Sequence, residues 1–62
     1  MNKPKCKLIG EDGNIFNLIA IVRYTLQRAG QPDKANEMAF RVVQSGSYYE
    51  ALAIIGEYVE IY

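Results

Sequence analysis

Between Ile9 and Ile15 the chain reads Gly-Glu-Asp-Gly-Asn, two carboxylates and an amide framed by glycines, and no other stretch comes as close to ligand chemistry. A calcium loop needs oxygen ligands at alternating positions, a glycine at the sixth and a glutamate at the twelfth. Counting from Asp12, Asn14 suits the third place, but the fifth is Phe16, the sixth Asn17 and the twelfth Arg23. A phosphate-cradling loop wants a glycine spacing that Gly10 and Gly13 do not supply, and Glu11 with Asp12 would repel the phosphate. The segment is therefore expected to act structurally. Gly10 ends an extended stretch, Asp12-Gly13 turns the chain, and Asn14, or Asp12 if the helix starts early, caps the helix that follows.

The remaining reactive groups are sparse. Cys6 stands between Lys5 and Lys7, whose charge would favour the nucleophilic thiolate. As the single cysteine it has no partner within the chain, which fits a reducing, cytoplasmic setting. Histidine is absent, which removes the commonest general base and metal ligand. The carboxylate pair Glu11 and Asp12 is read as solvated. No enzyme, cofactor, metal or small-molecule substrate is expected from this inventory.

Positioning these groups falls to four pieces divided at Gly10 to Gly13, at Ala29 to Asp33 and at Gln44 to Ser47. Lys5 to Ile9 alternates weakly, as a short strand would. Ile15 to Ala29 is the strongest helical pattern: Ile15, Leu18, Ile19, Val22, Leu26 and Ala29 share one face, and Gly30 sits where a left-handed terminator belongs. The third piece opens with Pro32 at a first helical position and Asp33 near the positive end of the dipole. It carries a buried stripe of Ala35, Met38, Ala39, Val42 and Val43, and reaches Gly46 as its terminator. Phe40 falls off that stripe. In the fourth piece Ser47 and Glu50 form a capping box, and Tyr48, Ala51, Leu52, Ile55, Val59 and Tyr62 share a face.

Three amphipathic helices on short connections predict a single small domain over residues 1–62, mainly α, a compact three-helix bundle with a short extended N-terminal segment. Its expected core is Ile15, Leu18, Ile19, Val22, Leu26, Met38, Val42, Leu52, Ile55 and Val59. The last residues, Tyr-Val-Glu-Ile-Tyr, continue the helix to the end of the chain in this reading. The alternative is that they leave it as a strand and pair with Lys5 to Ile9.

The segment Lys7 to Ile19 with its Gly-Glu-Asp-Gly-Asn-x-Phe core, an arginine-bearing helix ending in Ala-Gly, and the run Ser45 to Ile61 resemble a group of small uncharacterised proteins encoded in prophages and conjugative elements of Gram-positive bacteria. The resemblance covers most of the chain. It implies a mobile-element context and a cytoplasmic location, and it brings no catalytic residue with it.

Charge separates the remaining function classes. Lys and Arg number seven, as do Asp and Glu, and the last helix bears Glu50, Glu57 and Glu60 with no basic residue. DNA affinity is dominated by phosphate neutralisation, so sequence-specific DNA binding is not expected, and a weak nucleic-acid-binding or regulatory accessory role is the alternative. The apolar run from Ile15 to Val22 is too short to span a membrane, and Leu8 with Ile9 too short for a signal-peptide core. A protein partner remains. Apolar residues left over from the core, Phe40, Ile54, Tyr58 and Ile61, are read as an interface, with Ile54 and Ile61 seven apart as a second seam on the last helix. The expected partner is a second copy, a homodimer. The competing explanation is that Leu8 and Ile9 cover Ile61 within one chain.

Overall fold

The computed structural model describes residues 3–62. Its elements run β1 (Lys5–Cys6), α1 (Ile15–Arg28), α2 (Pro32–Val43), α3 (Tyr48–Tyr58) and β2 (Glu60–Ile61). The three helices pack as the expected bundle. The two strands pair in parallel, Lys5 opposite Glu60 and Cys6 opposite Ile61, which ties the beginning of the chain to its end.

Local chemistry sets each helix boundary. Asn14 caps α1, its side chain accepting from the Phe16 amide at 2.9 Å, and Asp12 Oδ1 accepts from the Asn14 amide at 2.9 Å. At the other end Gly30 takes a left-handed φ of 78°. There the Gly30 amide donates to the Gln27 carbonyl and the Gln31 amide to the Leu26 carbonyl, the paired closure that a left-handed residue permits. Pro32 starts α2 with its fixed φ and no amide to leave unsatisfied. Gly46, expected as the terminator of this helix, lies beyond its end: α2 stops at Val43 with Gln44 as its cap, and only Gly10 and Gly30 have positive φ among the described residues. A Cβ at Gly46 would stand 2.8 Å from a Glu50 carboxylate oxygen, the end of a flexible side chain that would have to shift to admit it. That carboxylate accepts from the Gly46 amide, while Ser47 Oγ accepts from the Glu50 amide, so the capping box closes one residue earlier than its usual form.

The core contains Leu18, Ile19, Val22 and Leu26 from α1, Ala35, Met38 and Val42 from α2, and Ala51, Ile55 and Tyr58 from α3. Val59 and, from the N-terminal segment, Cys6 and Leu8 complete it, with Ile15 and Leu52 half-buried at its edge. The helix does not run to the end of the chain. Tyr58 is its last residue, Val59 turns to extended φ and ψ of −137° and 156°, and the chain pairs with the N-terminal segment. The Glu60 amide donates to the Pro4 carbonyl, the Tyr62 amide to the Cys6 carbonyl, and the Leu8 and Ile9 amides both to the Tyr62 carbonyl. Four backbone bonds to a distant partner outweigh the one bond per residue that continuing α3 would add. A radius of gyration of 10.4 Å is the ~10.5 Å expected of a natural domain of this length.

Candidate interaction surface

Two sides of the bundle carry features beyond packing, one apolar and one polar. The apolar side begins at the start of α1. The cap on Asn14 fixes the first helical turn, so Phe16, one residue past the buried edge at Ile15, projects to solvent. The end of α2 and the turn into α3 come alongside, and a depression of about 290 Å³ opens between them, floored by Ile19, Val42 and Ala51 and walled by Phe16, Val43 and Tyr48. Ser45, Gly46 and Ser47 complete the rim, and no charged residue lines it. Tyr48 is held in place because its hydroxyl donates to the Gly13 carbonyl at 2.6 Å, which ties the Gly-Glu-Asp-Gly-Asn segment to α3. One turn before Val43, on the same outer side of α2, stands Phe40. Phe16, Phe40, Val43 and Tyr48 are 72%, 65%, 65% and 50% exposed.

The polar side lies where α2 meets α3. Arg41 reaches across as a fork, Nη1 and Nη2 donating to the two Glu57 carboxylate oxygens at 2.8 and 3.2 Å. Arg41 Nη1 also donates to the Tyr58 hydroxyl, which in turn donates to Glu37. Hydrogen bonding to Glu57 raises the Arg41 pKa above its already high ordinary value, and Arg41 lowers that of Glu57. Burial raises the Tyr58 pKa above its ordinary value, and the bond to Glu37 adds to this. Every member of this chain of bonds has a partner within it, and together they clamp α2 to α3.

The four residues expected as an interface do not share a surface. Phe40 is exposed, as that reading requires. Tyr58 is buried, 8% exposed, inside the polar clamp. Ile54 is half-buried and packs against the core. Ile61 lies beyond the helix, in β2, so its spacing of seven from Ile54 has no helical meaning. It borders an open depression with Leu8, Ile9 and Leu52, but Ile61 is 39% and Ile9 70% exposed, so the covering by Leu8 and Ile9 that the competing explanation required is not what the fold provides. Val43 and Tyr48 were missed because they fall on helical stripes that read as core, and Phe16 because with Ala20 and Tyr24 it forms a second apolar stripe that read as a further packed flank of the first helix. The signal that separates them is position: all three lie at helix ends, where a neighbouring helix no longer covers the flank.

Asp12 and Asn14 spend side-chain oxygens on backbone amides, Asn17 Nδ2 donates to the Asp12 carbonyl, and the Cys6 thiol is buried 3.4 Å from Thr25 Oγ1. Among the described residues no group of three or more His, Cys, Asp or Glu is placed to hold a metal ion, and no helix is long and apolar enough to cross a membrane. Comparison with protein-family models, with curated proteins and with solved structures finds no match for this chain.

Proposed function

We propose that this chain is a non-enzymatic protein-interaction module whose contact face is the side of α1 and α2 bearing Phe16, Phe40, Val43 and Tyr48. The observation that carries the reading is that three aromatic rings and a valine stand at least half exposed around or beside a depression with no charged lining. Cores of protein interfaces are enriched in aromatic residues and depleted of charge, whereas isolated exposed hydrophobics are scattered. A non-enzymatic role is supported by what the reactive groups already do: the thiol is buried, and the tyrosine, arginine and glutamates of the clamp bind one another. The setting we propose, the cytoplasm of a bacterium carrying a mobile element, rests on the resemblance of the Lys7 to Ile19 and Ser45 to Ile61 segments.

A photoreactive benzoylphenylalanine placed at Phe40 tests the module in cells expressing the chain. Irradiation should produce a covalent adduct with a protein, and the same group at Lys34, on the clamp side of α2, should not. A folded Phe40 probe that forms no adduct, or one no more reactive than the Lys34 probe, overturns the reading.

A further inference from the structure

We infer that the partner on this face is a second copy of the chain, arranged about a two-fold axis so that each Phe40 enters the depression of the other copy. The inference rests on the reading of this face as a contact surface and specifies its occupant. Three observations lead to it.

The first is shape. One face carries both a protruding ring, Phe40, and, one helical turn further at Val43, a depression of about 290 Å³. An apolar cavity of roughly 150 Å³ accepts a benzene, so a phenyl ring fits the larger space. A knob and a matching hole on one face are self-complementary. Rotation by two-fold symmetry satisfies both knobs and both holes at once, and the assembly closes at two.

The second is area. Phe16, Phe40 and Tyr48 are exposed by half or more. Full burial of an aromatic residue removes about 150–250 Å², so these three offer roughly 300–450 Å² of apolar surface. A standard interface takes about 800 Å² from each partner, of which somewhat over half, or about 450 Å², is non-polar. With Val43 added, the patch supplies that amount.

The third is charge. Seven basic and seven acidic residues give the chain a net charge of zero, so two copies meet without monopole repulsion, and no like charges face each other across a depression that has none.

The axis must pass between Phe40 and the depression, which places Val43 beside its own counterpart. Val43→Cys should therefore form a disulfide between copies under mild oxidation, while Lys34→Cys on the clamp side should not, and buried Cys6 stays out of reach. Light scattering on a size-exclusion column at ~100 μM, where a dimer of micromolar affinity assembles, should give twice the chain mass. Phe40→Glu and Phe16→Glu should each halve that mass while keeping the helical dichroism, because both rings lie outside the core. A chain mass at ~100 μM, or a double mass that both variants retain, overturns the inference. Should the glutamate variants lose their helical dichroism, the Val43→Cys disulfide decides: none formed means no such pair. Adducts from the Phe40 probe with a different protein alone, beside a monomeric purified chain, would leave the module standing and remove the self-pairing.

Discussion

Tyr58 illustrates how one side chain can be read correctly in type and wrongly in place. An aromatic ring with a polar tip suits a wet interface, and on the last helix it stood off the stripe chosen for the core. The spacing of Ala51, Ile55 and Tyr58 was itself a helical stripe, and the structure buries all three. What the sequence did not contain was the position of Glu37 and Arg41 on the neighbouring helix, which give the buried hydroxyl its partners. The raised pKa carries a stability consequence. Folding favours the neutral phenol, so its contribution is fully present below the unfolded value of about 10 and is lost as pH rises through the higher folded value. Melting temperatures followed from about pH 9 to 11.5 should fall more steeply for the parent than for Tyr58→Phe, and parallel curves would refute this. Glu57 works in the opposite sense: lowered by Arg41, its contribution is present above the ordinary carboxylate range and lost as pH falls, and half-exposed partners leave it open to salt screening. A cap at Asn14, or at Asp12 for an earlier start, was legible because a cap is local, and the structure places it at Asn14. Asn14→Ala should lower stability by about 1 kcal/mol in a denaturant titration, and calcium should not alter the difference.

Elements whose signals lie within a few residues follow the sequence, and those that depend on a distant partner do not. The left-handed terminator at Gly30 was visible from the glycine ending a periodic run just ahead of Pro32. No atom lies within 4 Å of a Cβ added there, so the cost of replacing it is confined to the backbone. Gly30→Ala should therefore destabilise by about 1–2 kcal/mol, with Gly30→Asn recovering part of the loss, since asparagine tolerates the left-handed region better. Equal melting of the alanine variant and the parent would show that α1 does not need this closure. The end of α3 was ambiguous for a physical reason. Val59 fits the helical series with Leu52 and Ile55, and equally the alternation of Tyr58 to Tyr62. The choice is made by the carbonyls of Pro4 and Cys6 and the amides of Leu8 and Ile9, more than fifty residues away in sequence.

For the molecule as a whole, a domain of 62 residues leaves little margin, so the self-pairing inferred for the Phe40 face should register in stability as well as in mass. Ile55 is fully buried in the core, and Ile55→Ala should cost about 2–5 kcal/mol, most of the ~3–5 kcal/mol that a single small core supplies. The variant should show reduced helical dichroism at 37 °C, and a melt like the parent's would mean that Ile55 is not central to the core. The apolar face behaves differently because its residues are exposed in the single chain. Covering it stabilises the fold only through mass action, as any partner that binds the folded state does. If unfolding is coupled to separation of two copies, each tenfold rise in concentration adds about 1.4 kcal/mol per pair, or about 0.7 per chain. In a domain of this size that corresponds to a melting temperature higher by roughly 3–5 °C. Calorimetry at ~10 and ~100 μM should show this rise for the parent and none for Phe40→Glu, which keeps the core but lacks the ring that fills the partner's depression. A melting temperature independent of concentration in the parent would mean that the pair does not persist up to the transition.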